Sequence, residues 1–117
     1  MKLFHNPKCS KSRIALKFFE ENNIEIDVVL YQKVGLTEQD AQHIVKNFDD
    51  DFSHLLRKSS QHDIKPDLSE KEKIDLLIKF ADHLQRPLLL TDADCKIGRP
   101  LENFSTIETL SRYFSTE

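Results

Sequence analysis

The spacing of apolar and polar residues divides the start of the chain into a strand, a helix and a second strand. Residues 2–5 form a short apolar segment of strand length, and from Ile24 to Tyr31 apolar and polar positions alternate with the period of two that is typical of a strand. Ser10 is the predicted N-cap of the helix between them. The apolar positions of that helix recur at helical spacing and are Ile14, Ala15, Phe18 and Phe19. The sequence therefore predicts an opening β-α-β unit.

The middle of the chain has the pattern of two amphipathic helices. Thr37 begins a Thr-x-x-Asp segment and Ser69 begins a Ser-x-x-Glu segment, and both arrangements are typical of a capping box at a helix start. Between the helices we expect a solvated acidic run at 49–51, a helical turn, and a polar loop over 59–68. We thus predict a helical insertion over about residues 37–83.

The last third predicts a β-hairpin followed by a helix. Residues 86–91 and 95–98 form two short apolar segments around a turn-forming tripeptide, Asp92-Ala93-Asp94. The apolar positions of the final helix are Phe104, Ile107, Leu110 and Phe114. The order β-α-β, helical insertion, β-β-α, within a single domain over residues 1–117, is the layout of an α/β thioredoxin-like fold. Its sheet should be mixed, with helices on both faces.

Composition narrows the class of protein. The 117-residue chain carries a net charge of −3 with a sequence pI near 5.9, so it has no general basic surface for nucleic-acid phosphates. Its apolar runs are too short to span a bilayer, and its start lacks the pattern of a targeting segment. The two cysteines, Cys9 and Cys95, are far apart in sequence. We therefore expect a cytoplasmic protein without a structural disulfide, with neither nucleic acid nor membrane among its partners.

Cys9 is the strongest candidate for chemistry. It stands where the first strand gives way to the first helix, so its sulfur should face unpaired backbone N–H groups and the positive end of the helix dipole. Lys8, Lys11 and Arg13 add positive charge around it. Such surroundings favour the thiolate, which is the nucleophilic form of cysteine. Cys95, in contrast, lies in a predicted strand and is interpreted as a buried packing thiol rather than a resolving cysteine.

Three arginines lie at the joints between predicted elements rather than on helix faces. These are Arg57, Arg86 and Arg99. A guanidinium group offers a permanent charge and a planar fork suited to oxyanions, so convergence of the three on Cys9 would create an anion site beside a thiolate. The sequence leaves open the alternative that each is an ordinary exposed arginine. Pro87 is the candidate for the cis-proline that thioredoxin-like folds place opposite the active cysteine, which would bring Arg86 within reach of the thiol.

Four separated motifs together resemble the glutaredoxin-dependent arsenate reductase family and its arsenate-reductase-like relatives. They are His5-Asn6-Pro7-x-Cys9-x-x-Ser12-Arg13, Leu55-Leu56-Arg57-Lys58, Arg86-Pro87 and Gly98-Arg99-Pro100-x-Glu102. The resemblance implies that Cys9 is the nucleophile and that His5 and Ser12 activate its thiolate. It also implies that the three arginines bind the oxyanion.

The resemblance further implies a reaction. The Cys9 thiolate attacks arsenate or a similar oxyanion, glutathione enters as co-substrate, and glutaredoxin resolves the mixed disulfide that forms on Cys9. Neither a bound cofactor nor a metal is implied. Ser12 stands where a thioredoxin-type protein has a second cysteine, which agrees with dependence on an external thiol.

Two other functions stay open at this point. One is a redox-sensitive binding module of the Spx type, which acts on RNA polymerase, although the Gly98-Arg99-Pro100 motif argues against that branch. The other is a monothiol, glutathione-linked oxidoreductase that acts on protein thiols.

Overall fold

The computed structural model describes residues 1–58 and 64–114, and in these ranges four strands form one mixed sheet. The strands are β1 (Lys2–Phe4), β2 (Asp27–Val29), β3 (Leu88–Leu90) and β4 (Cys95–Ile97). Their order across the sheet is β2-β1-β3-β4, with β1 parallel to β2 and antiparallel to β3, and β3 antiparallel to β4. The predicted mixed sheet and the predicted hairpin are both confirmed.

Helical segments connect and cover these strands. The α-helices whose bounds fall within the described residues are α1 (Ser10–Glu21), α2 (Tyr31–Val34), α3 (Glu38–Asn47) and α4 (Glu70–Lys79). Short 3₁₀-helices span Phe52–Leu55, Ala81–His83, Leu101–Thr106 and Glu108–Phe114. The two middle helices begin where their caps predict, because the Thr37 hydroxyl accepts from the Asp40 amide at 3.1 Å and Ser69 and Glu72 form a reciprocal capping box.

The core lies on both faces of the sheet, since successive residues of a strand point to opposite sides. Leu3 and Leu89 pack against α1 and the C-terminal 3₁₀-helices, in one buried cluster. Phe4, Leu88 and Leu90 pack in a second cluster with residues of the helical insertion. The predicted arrangement, with helices on both faces, is therefore confirmed.

The β1–α1 unit differs from its prediction in two details. Cys9 itself is the N-cap of α1 and Ser10 is the first helical residue. Ile14 is 50% exposed, whereas Ser12 is fully buried. The buried face of α1 consists of Ser12, Ala15 and Phe19. The polar Ser12 can occupy this face because its hydroxyl has hydrogen-bond partners there.

The second strand and the last helix also differ from their predictions. β2 covers only residues 27–29, because Tyr31 turns into α2 and becomes a core residue, while Ile24 and Ile26 pack against the α1 side of the sheet before the strand starts. The final apolar stretch forms two 3₁₀-helices, interrupted at Ile107, whose backbone is extended. The predicted loop over 59–68 falls partly on residues 59–63, which lie outside the described residues.

Candidate active site

The sheet register brings three distant segments to one edge. Phe4 at the end of β1 pairs with Leu88 at the start of β3, and Leu88 pairs with Ile97 at the end of β4. The chain that leaves β1, the chain that enters β3 and the chain that leaves β4 therefore meet. The Gly98 amide extends this pairing by donating to the Pro87 carbonyl at 2.8 Å.

Cys9 stands at this edge with a partly exposed side chain. Its backbone is extended, and its carbonyl accepts the first bond of α1 from the Arg13 amide at 3.0 Å. Burial by itself would raise the pKa of the Cys9 thiol, but the backbone amides of Ser12 and Lys11 and the side chain of Arg86 together lower it below its usual value. The site thus favours a thiolate at the start of a helix, as the sequence predicts.

Residues 5–9, which we call the Cys9 loop, are organised by Asn6. This side chain is only 7% exposed. The backbone carbonyl of Asn6 accepts from the Cys9 amide and its side-chain Oδ1 accepts from the Lys8 amide, each at 3.0 Å. Its backbone amide donates to Ser12 Oγ, also at 3.0 Å. Asn6 therefore fixes the backbone that presents the sulfur. The sequence analysis gave it no role, although it lies inside the motif around Cys9.

Arg13 makes a second connection across the same loop. Its Nη1 donates to the Pro7 carbonyl at 3.0 Å. The sequence analysis treated Arg13 only as a source of positive charge, and the structure adds a hydrogen bond that ties the first turn of α1 to the loop.

His5 and Ser12 form a buried pair behind the nucleophile. His5 is 5% exposed, and its Nδ1 lies 2.6 Å from Ser12 Oγ. Burial lowers the pKa of His5, and the positive charge of Arg13 lowers it further, while hydrogen bonding with Ser12 raises it. The net effect is a lowered pKa, which favours a neutral ring. His5 is therefore linked to Cys9 through Ser12, whose backbone amide acts on the thiol. Activation of the thiolate by His5 and Ser12 stays a prediction.

Two of the three predicted arginines meet the nucleophile. Arg99 Nη1 donates toward Cys9 Sγ at 3.7 Å and toward the carbonyl of Arg86 at 3.4 Å. The half-buried Arg86 acts on the same thiolate through its side chain. Both residues precede a cis peptide bond, to Pro87 and Pro100 respectively, so the predicted cis-proline at Pro87 is present.

Arg57 approaches the same region from the helical insertion. Its side chain is exposed, and its backbone amide donates to the His83 carbonyl at 2.9 Å. Its charge, like that of Arg86, acts on the buried phenol of Tyr31. Oxyanion binding by the three arginines stays a prediction, but the fold places them around one region.

Tyr31 is a residue of this region that the sequence analysis missed. It is 1% exposed, and its hydroxyl donates to the Leu84 carbonyl at 3.4 Å. The sequence analysis assigned it to a strand with alternating faces. Its aromatic bulk beside a run of apolar residues was the available signal for a core position.

Cys95 has the packing role that its sequence context predicts. It is fully buried in β4, and burial, reinforced by the nearby charge of Asp49, raises the pKa of its thiol to about 12. The thiol is free, as is that of Cys9.

Two further features are absent from the described ranges. Residues 1–58 and 64–114 contain no cluster of three or more His, Cys, Asp or Glu side chains arranged to hold a metal ion. In the same ranges there is no helix with the length and apolar character needed to cross a membrane.

The sequence and the fold both match known proteins. The model of the ArsC family matches residues 4–107. The arsenate reductase of Neisseria meningitidis serogroup A is 35% identical, over 92% of this chain and 97% of its own length, and that of Haemophilus influenzae is 32% identical, over 86% and 91%. The structure of an arsenate reductase from Vibrio cholerae superposes with a TM-score of 0.72, over 87% of this chain and 93% of that one, and at 23% identity it demonstrates a shared fold.

These matches confirm the predicted thioredoxin-like fold and the predicted relationship. The match to the family model covers nearly the whole chain and includes Cys9, Arg57, Arg86 and Arg99. The two relatives from Neisseria meningitidis and Haemophilus influenzae are arsenate reductases by name. The chain belongs to the ArsC family, the family of the arsenate reductases that it matches in sequence and in fold.

Proposed function

We propose that this protein is an arsenate reductase in which the Cys9 thiolate attacks the arsenic of arsenate. The observation that carries the proposal is the approach of Arg99 Nη1 to within 3.7 Å of Cys9 Sγ. A permanent positive charge beside the sulfur favours the thiolate and also attracts the anion that the thiolate must attack. Preformed charge of this kind stabilises the transition state without reorganisation during the reaction.

A second observation supports an oxyanion as the ligand. Arg86 Nε is buried and makes no hydrogen bond within the described part of the chain. Such a buried donor costs about 1–3 kcal/mol when it is left unpaired. An oxyanion oxygen that accepts from it would recover this free energy, whereas a neutral apolar ligand would not.

The reaction has two chemical steps at Cys9. In the first, an As–S bond forms while an As–O bond breaks, and the departing oxygen takes up protons and leaves as water. In the second, the thiolate of glutathione attacks the Cys9 sulfur. The electron pair of the S–As bond remains on arsenic, which passes from the pentavalent to the trivalent state and leaves as arsenite, while a Cys9–glutathione disulfide forms.

The reducing equivalents come from outside this chain. Cys95 is fully buried with a pKa of about 12, so it is unsuited to resolve a disulfide on Cys9. A dithiol protein such as glutaredoxin therefore cleaves the mixed disulfide and returns Cys9 to its thiolate. We expect the reaction to take place in the cytoplasm, where glutathione is kept reduced.

A coupled assay tests the proposal. The purified protein is incubated with arsenate, glutathione and glutaredoxin, and the disulfide of glutathione is reported as NADPH consumption through glutathione reductase. We expect arsenate-dependent turnover in the wild type and in Cys95→Ser, and none in Cys9→Ser. Serine is a preferred N-cap residue, so the last variant keeps its helix start and its fold, which circular dichroism checks.

The outcomes separate the proposal from the two other functions. Consumption of NADPH with a glutathionylated protein substrate but not with arsenate would identify a monothiol oxidoreductase. Capture of RNA polymerase without turnover on either substrate would identify a redox-sensitive binding module.

A further inference from the structure

Tyr31 lies between the Cys9 loop and the segments that carry two of the arginines. It follows β2 directly and begins α2, and its side chain is 1% exposed. Its hydroxyl donates to the carbonyl of Leu84 at 3.4 Å. The carboxamide of Asn6 also lowers the pKa of the phenol. Tyr31 thus interacts with the Cys9 loop as well as with the Leu84 carbonyl.

The Leu84 carbonyl belongs to a junction that supports two guanidinium groups. Leu84 and Leu56 form an isolated antiparallel bridge, which is flanked by backbone hydrogen bonds of 2.7 and 2.9 Å. Arg57 follows Leu56 directly, and Arg86 lies two residues after Leu84. A hydrogen bond at this junction therefore influences where both arginine backbones lie.

One donor of the Arg86 guanidinium, Nε, makes no hydrogen bond among the residues that the structure describes that would hold the side chain, so the backbone contributes to the placement of Arg86. Its carbonyl accepts from Arg99 Nη1 at 3.4 Å, the same nitrogen that approaches Cys9. A shift of the chain at residues 84–86 would therefore move two cations relative to the sulfur.

The phenol is surrounded by the charges of the site. Burial raises the pKa of Tyr31, and the negative charge of the Cys9 thiolate raises it too. The positive charges of Arg86 and Arg57 lower it, but the net result is a raised pKa. The hydroxyl consequently keeps its proton at neutral pH and remains a donor to Leu84.

We propose that Tyr31 is a positioning residue of the anion site, whose hydroxyl, held by the Leu84 carbonyl, sets the place of Arg86 relative to the Cys9 sulfur. The proposal rests on the proposed function in one respect, namely that Cys9 and Arg86 act on a common anion. Tyr31 is 1% exposed, so we assign it an action through Arg86 rather than a direct contact with that anion.

The variant Tyr31→Phe tests the proposal, since it keeps the ring and removes only the hydroxyl. The readouts are the pH dependence of Cys9 alkylation by iodoacetamide and the protection of Cys9 by sulfate. We expect a higher alkylation midpoint and about two- to ten-fold weaker protection, the range that one hydrogen bond supports. Tyr113→Phe is the matched control, because the other tyrosine of the chain packs on α1, with its hydroxyl accepting from Arg112 at 2.7 Å. It should match the wild type.

The Arg86→Ala background shows whether Tyr31 acts through Arg86. There, Tyr31→Phe should cause no further change in the alkylation midpoint. An equal change with and without Arg86 would overturn the positioning role, as would an unchanged midpoint and unchanged protection in folded Tyr31→Phe.

A second measurement, by ¹⁹F NMR, keeps the Tyr31 hydroxyl in place. In Tyr113→Phe, Tyr31 is the remaining tyrosine, so incorporation of 3-fluorotyrosine gives a single ¹⁹F signal from it. We expect this signal to titrate with Cys9 and to shift when sulfate is added. A signal insensitive to both would overturn the proposal. None of these readouts requires turnover, so a protein that shows them without reducing arsenate would contradict the proposed function alone.

Discussion

Cys9 and Arg99, 90 positions apart in sequence, meet with Sγ and Nη1 at 3.7 Å. The hairpin of β3 and β4 makes this contact possible, because the end of β4 lies at the same edge of the sheet as the end of β1. Gly98 allows the return. A Cβ at this position would lie 2.6 Å from the ring of Phe104, so only a residue without a side chain fits directly before Arg99. The contact between nucleophile and cation thus depends on the packing of the C-terminal segment.

Gly98→Ala should therefore lower both stability and Cys9 reactivity. The added methyl group must displace the buried Phe104 ring, and overpacking of this kind costs about 1–3 kcal/mol of unfolding free energy. Because the displacement moves Arg99, the alkylation midpoint of Cys9 should also rise. Urea denaturation and iodoacetamide kinetics measure the two effects.

Ser69→Ala is the control for loss of stability alone. The exposed Ser69 hydroxyl caps α4 by accepting from the Glu72 amide at 3.2 Å, and loss of such a cap costs about 0.5–2 kcal/mol of unfolding free energy. Ser69→Ala should destabilise the protein without changing the alkylation midpoint. A Gly98→Ala protein that is as stable as the wild type would contradict the close approach of Phe104.

The pH dependence of stability should reveal the Cys9 thiolate. Because the pKa of Cys9 is lower in the folded state, the folded protein binds fewer protons at this site than the unfolded one. The stabilisation is fully present above the unfolded pKa of about 8.5 and is lost as the pH falls through the folded pKa. The difference in unfolding free energy between wild type and Cys9→Ser should therefore grow as the pH rises through this window.

Urea titrations of both proteins across that window measure this difference, and iodoacetamide kinetics give the folded midpoint independently. A midpoint at or above about 8.5, or a difference in stability that stays constant with pH, would contradict a depressed pKa.

Local features of the sequence were sufficient where the interactions are local. The caps at Thr37 and Ser69 predict the starts of α3 and α4, since each cap bonds within three residues of itself. The strand prediction for Ile24 to Tyr31 was too long, because Tyr31 begins α2 and its buried hydroxyl bonds to Leu84, 53 positions away. Periodicity within a segment carries no information about such a partner.

The same limit applies to the site. The position of Cys9 at a helix start could be read from the change of pattern alone, whereas the contact of Arg99 with it depends on sheet order. The role of Tyr31 depends on a buried hydrogen bond to Leu84, 53 positions away, so the sequence offered no basis for choosing it. Asn6 differs, because its hydrogen bonds reach no further than Ser12 and its place in the motif around Cys9 was an available signal.

Cys95→Ser should be less stable than the wild type while retaining activity. The serine hydroxyl would be placed in a fully buried position of β4, and an uncompensated buried hydroxyl costs about 1–3 kcal/mol. Urea denaturation measures the cost. With a pKa of about 12 the Cys95 thiol is also unreactive at neutral pH, so mass spectrometry should find one alkylated cysteine per native chain and none in native Cys9→Ser. Loss of turnover in folded Cys95→Ser would instead identify a resolving thiol.

Ser12→Ala should destabilise the protein more than Ser10→Ala. Ser12 Oγ is buried between the Asn6 amide at 3.0 Å and His5 Nδ1 at 2.6 Å, so its removal leaves buried polar groups unpaired, at a cost of about 1–3 kcal/mol. Ser10 is exposed on the same helix turn, and its replacement should change stability by less than about 0.5 kcal/mol. Equal effects in urea denaturation would contradict a structural pair of Ser12 and His5.

The three arginines should differ in what their loss changes. Arg86 and Arg99 act on the sulfur, so their alanine variants should raise the alkylation midpoint of Cys9 and weaken its protection by sulfate or arsenate. Arg57 acts on Tyr31 from an exposed position, so Arg57→Ala should weaken protection with a smaller change in midpoint. Each lost charge-assisted contact to the anion should cost about 1.5–3 kcal/mol of protection.

Lysine should restore these properties only in part, because a point charge attracts the anion but lacks the planar fork that binds two of its oxygens. Arg86→Lys and Arg99→Lys should therefore fall between the wild type and the alanine variants in sulfate protection. Arg112→Ala is the matched control, since this exposed arginine lies over the ring of Tyr113 and away from Cys9. Equal protection of Cys9 in the wild type and in a variant with all three site arginines replaced by alanine would show that these arginines bind no anion, and the protein would then be better explained as a binding module than as a reductase.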